Sequence, residues 1–176
     1  VVLYNQFYDD NAGTNSYDEV ETLRFADGST INLKGGLTFT GTTLNNNIQG
    51  TSMADTLIGL AGDDNLNGLA GNDTLNGGIG NDSLTGSTGN DTYEFNIGDG
   101  QDTIYEESGA DTILMGEGIT ASNIRFEKTS NYYGSTNLTI YHGTSDKVVL
   151  YNQFYDDNAG TNSYDEVETL RFADGS

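Results

Sequence analysis

Apolar residues recur every nine positions through the middle of this chain, and polar residues fill most of the space between them. In a nine-residue frame opening at Gly41 the chain reads GTTLNNNIQ, GTSMADTLI, GLAGDDNLN, GLAGNDTLN, GGIGNDSLT and, from Gly86, GSTGNDTYE. Phe95 and Asn96 interrupt the frame, which resumes as IGDGQDTIY from Ile97 and EESGADTIL from Glu106. Position eight holds Ile48, Leu57, Leu66, Leu75, Leu84, Tyr93, Ile104 and Ile113, and position six holds Asn46, Asp55, Asp64, Asp73, Asp82, Asp91, Asp102 and Asp111. Agreement at both columns outranks every other feature of the sequence.

Nine residues of this kind have few conformational options. A three-residue strand centred on position eight sends one apolar side chain inward, because neighbours alternate faces. The other six residues turn the chain back, and glycine at positions one, two and four tolerates that turn. Two nonapeptides then complete a flattened coil of about 18 residues, with successive coils stacked about 4.8 Å apart. The pattern predicts a right-handed parallel β-roll with two nonapeptides per turn. No segment shows a convincing 3.6-residue apolar period, so the chain reads as all-β.

Outside the repeats the apolar pattern changes to alternation, as in Leu138–Thr139–Ile140–Tyr141 and Val167–Glu168–Thr169–Leu170–Arg171–Phe172, which predicts half-buried strands. Leu23–Leu33 predicts a hairpin turning at Asp27–Gly28. The expected organisation is a β-rich flank over 1–40, the roll over 41–114 and a β-rich cap over 115–176. A longer repeat overlies it: Val1–Ser29 recurs identically as Val148–Ser176, an offset of 147 residues. The chain reads as one period of a tandem array plus an overlap, the alternative being a duplication introduced by design. Matching ends also predict head-to-tail self-association through unpaired strand edges.

Charge narrows the partners. Six Lys and Arg against 27 Asp and Glu leave a net charge of −21, which repels nucleic acid and anionic lipid and invites a cation. Residues 41–114 contain 12 of the acids and no Lys, Arg or His. There is no Cys, hence no disulfide framework and no thiolate metal site. No apolar run is long enough to span a membrane, and Val1–Asp10 lacks the basic start and apolar core of a signal peptide. A Gly/Asp-rich flexible linker would share this composition but has no need of an apolar residue at every ninth position.

In the predicted roll Asp64 stacks over Asp82 on one edge, while Asp55, Asp73 and Asp91 line the other. Like charges at that spacing repel by about 1 kcal/mol in water and by more as water is excluded. One Leu per nine residues is a thin core against the entropy of ordering them. A Ca²⁺ between successive loops reverses the sign, since it takes six to eight oxygen ligands at about 2.3–2.6 Å. The loops offer no His or Cys for zinc or copper, and Mg²⁺ prefers strict octahedra and its own waters. The expected ligands of several Ca²⁺ ions are Asp55, Asp64, Asp73, Asp82, Asp91, Asp102 and Asp111, with turn carbonyls of Gly59, Ala61, Gly68, Ala70, Gly77 and Ile79. The pairs Asp55–Asp73, Asp64–Asp82 and Asp73–Asp91 rank first. Asp82–Asp102 and Asp91–Asp111 span the Phe95–Asn96 interruption and rank below them.

GGIGNDSLT at Gly77–Thr85 resembles the repeats-in-toxin (RTX) nonapeptide G-G-x-G-x-D-x-U-x, a calcium-binding repeat. Its neighbours depart at position two, with Leu60, Leu69 and Ser87, and at position four, with Leu44 and Met53; Asn46 replaces the first Asp. Asp146–Ser176 is similar to the haemolysin-type calcium-binding-related domain that is often interspersed with such repeats. The resemblance implies a bacterial protein exported by type I secretion, unfolded in the calcium-poor cytosol and folding outside the cell. In such families the host activity, whether toxin, lipase, protease or adhesin, normally resides elsewhere in the chain.

Catalysis has little support. The single His, His142, lies near Ser145 and Asp146, but no nucleophile elbow is present, and pairs such as Glu106–Glu107 and Asp156–Asp157 read as solvated acids. The expectation is a non-enzymatic module serving as spacer and secretion-folding unit. The alternative is a surface adhesin that binds a glycan or cell-surface ligand, with Tyr132–Tyr133 as a stacking platform.

Overall fold

The computed structural model describes residues 22–24, 30–32, 35–130, 136–153 and 167–175. A short antiparallel pair, β1 (Thr22–Arg24) and β2 (Thr30–Asn32), precedes the repeats, with Leu23 opposite Ile31. This is the predicted hairpin, although its turn at Asp27–Gly28 lies outside the described residues. From there the nine-residue frame dictates the topology. β3 (Thr38–Thr40), just ahead of the frame, and the strands of alternate repeats, β5 (Thr56–Ala61), β7 (Thr74–Ile79), β9 (Thr92–Phe95) and β11 (Thr112–Met115), form one parallel sheet. The intervening repeats supply β4 (Asn47–Gln49), β6 (Asn65–Asn67), β8 (Ser83–Thr85) and β10 (Gln101–Tyr105), parallel in a second sheet.

Register follows the period. Thr56 pairs with Thr74 and Asn65 with Ser83, two nonapeptides on in each case, so every position-eight side chain falls beneath its counterpart one coil later. Leu57, Leu66, Leu75, Leu84 and Tyr93 are completely buried between the sheets. This is the parallel β-roll, all-β and with two nonapeptides per turn.

The interruption at Phe95–Asn96 has a structural use. Across it the pairing offset grows from 18 to 20, as in Ser83 with Thr103 and Thr92 with Thr112. Two residues beyond Leu57 and Leu75, the inward position belongs to Gly59 and Gly77; in β9 and β11 it belongs to Phe95 and Met115, paired with each other and buried. The core thus widens from one apolar residue per strand to two. Ile119, Ile140, Val148, Leu150 and Phe172 join it.

The C-terminal flank continues both sheets. β14 (Asp146–Leu150) pairs parallel with β10, and β15 (Thr169–Phe172) pairs parallel with β11, setting Phe172 beside Met115. β12 (Arg125–Ser130) and β13 (Thr136–His142) extend the second sheet antiparallel beyond β14. The last coil of repeats therefore presents no open hydrogen-bonding edge. Among the described residues no helix is long and apolar enough to cross a membrane.

Backbone geometry explains the departures from the nonapeptide pattern. From Leu60 to Ser87 position two sits at positive φ with or without a side chain, at +82° in Leu60, +77° in Leu69, +87° in Gly78 and +74° in Ser87, whereas Thr42, Thr51 and Glu107 at the same position do not. Position four must be glycine only where a coil is stacked before it. A Cβ on Gly71 would lie 2.4 Å from the carbonyl carbon of Met53. Leu44 and Met53 belong to the first coil and carry side chains there, Leu44 in the open.

Candidate metal centre

The loops are tied together by their own aspartates. Each position-six carboxylate accepts, through Oδ1, the backbone N–H of the position-six residue one coil earlier. On one edge Asp55 N donates to Asp73 (2.7 Å), Asp73 N to Asp91 (2.7 Å) and Asp91 N to Asp111 (2.8 Å). On the other, Asn46 N donates to Asp64 (2.6 Å), Asp64 N to Asp82 (2.7 Å) and Asp82 N to Asp102 (2.9 Å). The structure thus stacks the aspartates in the two columns expected from their spacing, including both pairs that span the Phe95–Asn96 interruption.

The second oxygen has a different fate. Oδ2 of Asp64, Asp73, Asp82, Asp91, Asp102 and Asp111 is buried with no hydrogen-bond partner. In Asp64, Asp73, Asp82 and Asp91 it faces the position-one glycine of its own loop: a Cβ on Gly59, Gly68, Gly77 or Gly86 would come within 2.2–2.3 Å of it. Carbonyls from the next coil approach the same spot, since Gly77 O would lie 2.4 Å from a Cβ on Gly59, and Gly68 O 2.7 Å from one on Gly50. Unpartnered carboxylate oxygens and main-chain carbonyls thus converge where only hydrogen can stand on the chain. Of the position-three carbonyls, Ile79 O accepts Gly62 N at 2.9 Å; Ala61 and Ala70 occupy the same place in their loops and donate their own N–H to Thr42 O and Thr51 O at 3.4 Å.

Asp55 is the exception. Its Oδ1 accepts Leu37 N (2.6 Å), and its Oδ2 accepts both the N–H (2.6 Å) and the hydroxyl (2.7 Å) of Thr51. The position-two threonine thus gives both oxygens of Asp55 a donor together with Leu37 N, and Thr42 N donates to Asn46 Oδ1 at 2.5 Å in the loop before it.

Electrostatics follow from burial. Desolvation pushes the carboxyls of Asp73, Asp82, Asp91 and Asp111 up to about 6, against the hydrogen bond that each accepts and with the neighbouring aspartate's charge adding to it. Asp102 is pushed to about 7 for the same reasons. Six buried carboxylate oxygens that no protein donor satisfies form an all-oxygen, anionic set suited to a hard divalent cation.

Two carboxylates in these columns were not singled out from the sequence as ligands. Glu106 holds position one, where the earlier loops of its own edge have Gly50, Gly68 and Gly86, and its side chain is buried. Its carboxylate accepts a short hydrogen bond from the Tyr93 hydroxyl, and the ligand atoms of Asp91, Glu106 and Asp111 lie within 4.8 Å of one another. Burial, reinforced by the charges of Asp111 and Asp91, pushes Glu106 up to about 8 despite that bond. Glu168 is the second: its Oε2 accepts Asp111 N at 2.6 Å, extending the Asp55–Asp111 column into the flank. The only sequence signals were an acid at a position that is glycine on the same edge and an acid near the start of the alternating run Val167–Phe172.

His142 lies behind Phe95, ring centroids 6.4 Å apart, with both ring nitrogens buried and unpartnered. Burial lowers its pKa, opposed by Asp146 and Asp99. Ser145 donates to Asp146 at 3.2 Å rather than to the imidazole, so these three residues do not form a nucleophile–base pair. Tyr132–Tyr133 lies outside the described residues.

Family comparison agrees with the geometry. Residues 40–75, 58–93 and 67–104 match the model of the RTX calcium-binding nonapeptide repeat. The roll is built of RTX calcium-binding repeats. Residues 137–176, which hold β14 and β15, match the haemolysin-type calcium binding protein related domain. A search of curated protein sequences gives no match. Among solved structures, the chain is similar to the AlgE6R3 subunit from the Azotobacter vinelandii mannuronan C5-epimerase, at 29% identity over 70% of this chain and 77% of that one, with a TM-score of 0.49. The RTX roll is a structural calcium-binding fold, and the buried aspartates are chemically matched to that ion.

Proposed function

We propose that this chain is a calcium-folded structural module of a larger secreted bacterial protein, serving as a spacer and as a unit that folds only after export. The observation that carries this reading is the set of six buried, unpartnered Oδ2 atoms along the two edges of the roll. Without a cation they oppose folding; with one they become its ligands. The ions would lie between successive loops, held by Asp64 with Asp82, Asp73 with Asp91, Asp82 with Asp102 and Asp91 with Asp111. Carbonyls of Gly59, Gly68 and Gly77 would complete each shell, with those of Ala61, Ala70 and Ile79. Asp55, whose Oδ2 already accepts from Thr51, contributes through the Leu37 N–H that its Oδ1 accepts more than as an open ligand. Extracellular modules of this kind bind calcium at about 10⁻⁴–10⁻³ M, which leaves the roll open in a cytosol and closed outside. Limited proteolysis tests this: residues 41–114 should be cut at micromolar calcium and protected at millimolar calcium. Protection in chelator would refute it.

No catalytic role is assigned to the module. The reading includes head-to-tail contact between copies, since β3 and β15 form opposite edges of the same parallel sheet. β12, at the edge of the other sheet, carries Arg125, Glu127 and Lys128, which discourage pairing there. Light scattering showing a strict monomer at high concentration would remove that part.

One observation favours an adhesin reading beside this one. Tyr105 at the end of β10 and Tyr151 just past the end of β14 are exposed with ring centroids 5.2 Å apart, a surface on which a sugar ring could stack. A glycan array with wild type and Tyr151→Ala separates a binding module from a spacer.

A further inference from the structure

On the edge that carries the Asp55 column, position one is Gly50, Gly68 and Gly86 in successive coils, then Glu106. The change is paired with another. The inward position-eight residue stacked on Leu57 and Leu75 is Tyr93, whose hydroxyl accepts Gly86 N at 2.8 Å and donates to Glu106 Oε1. Glu106 Oε2 accepts Glu107 N at 3.0 Å. The carboxylate is therefore held at both oxygens and faces the space over Gly86, where a Cβ would meet Asp91 Oδ2 at 2.3 Å and Glu106 Oε1 at 2.4 Å.

Asp91 and Asp111, 1% and 0% exposed, each keep an unpartnered Oδ2, and with Glu106 their ligand atoms fall within 4.8 Å of one another. Oxygens on opposite sides of one Ca²⁺, at 2.3–2.6 Å each, stand about 4.6–5.2 Å apart, so one ion can reach all three. Residues 41–114 supply no Lys or Arg to neutralise the cluster.

We propose that Asp91, Glu106 and Asp111 form a calcium site of a second kind, in which Glu106 adds a third carboxylate to the position-six pair and Tyr93 positions it. Resting on the calcium reading of the position-six columns, this site fills at lower calcium concentration than the loops with glycine at position one, because affinity rises with ligand charge. Asp111 also donates to Glu168 ahead of β15, so the first ion bound fixes the junction between repeats and flank.

The test uses the full chain and terbium, a luminescent stand-in for calcium sensitised by a nearby tyrosine. Wild type should show an early emission phase that added calcium competes away. Glu106→Gln should move that phase to concentrations at least about tenfold higher, a loss of about 1.4 kcal/mol, while later phases stay in place. Tyr93→Phe should remove most of its amplitude. Should Glu106→Gln fail to regain β signal at saturating calcium, Glu106→Gly restores the ordinary repeat residue and should give the same shift. Asp73→Asn is the control for the repeat sites. If it alters the titration while both Glu106 variants match wild type, Glu106 is no ligand and the proposal falls, with the position-six reading intact. If wild type shows no calcium-competed phase at all, the position-six reading fails as well.

Discussion

The roll makes unusual demands on single residues, and position two shows the demand most plainly. Leu60, Leu69 and Ser87 take a left-handed backbone that Gly78 takes freely, at about 1–2 kcal/mol each. Leu69→Gly should therefore raise the thermal midpoint at saturating calcium, by the equivalent of about 1 kcal/mol once glycine's greater freedom in the unfolded chain is set against the relief; calorimetry measures it. The carboxylates give a second expectation. Asp73, Asp82, Asp91 and Asp111 have folded-state values raised to about 6. A group raised in this way favours the folded form below its unfolded value, near 4, and loses that contribution as pH climbs through its folded one. Calcium-free protein should thus gain β signal in far-UV dichroism between pH 7 and pH 5, and calcium should make this dependence shallower. A calcium-free signal that falls on acidification would contradict the burial assigned to these groups.

Among the elements, the two columns of the repeat were legible because a period of two nonapeptides leaves no freedom in register. The flank was legible as strands, from the alternation in Leu138–Tyr141 and Val167–Phe172, but not in its pairing. Parallel union of β14 with β10 and of β15 with β11 joins segments far apart in the chain, and no shared spacing announces it. The Phe95–Asn96 interruption read as a lost frame, whereas it brings Phe95 into the place of a position-one glycine and opens the wider core. Glu106 was read with Glu107 as a solvated acid, whereas it is buried, because Tyr93 on the neighbouring coil reaches its carboxylate. Phe95→Ala should then cost about 3–5 kcal/mol as a core truncation. Hydrogen exchange should find the loss concentrated in β11, β14 and β15, with β5 and β7 less affected. Uniform loss across all coils would mean that the junction is not a separate packing unit.

For the molecule as a whole, the roll spends its surface charge on its edges. Residues 41–114 carry acids without a single basic residue, and the cation that balances them comes from solution. The aromatic and basic residues concentrate in the flanks, where Lys and Arg offset the acids, so the flanks should retain structure longest when calcium is withdrawn. On the proposed reading, fold and ion are one equilibrium. The most direct test is a calcium titration followed by far-UV dichroism on wild type and Asp73→Ala, a residue whose carboxylate and N–H both join neighbouring loops. The account predicts little roll signal in chelator, a cooperative gain centred at about 10⁻⁴–10⁻³ M, and a midpoint displaced to higher calcium in the mutant. A calcium-free protein with the full β signal, or a mutant whose midpoint stays where the wild type's lies, would contradict it.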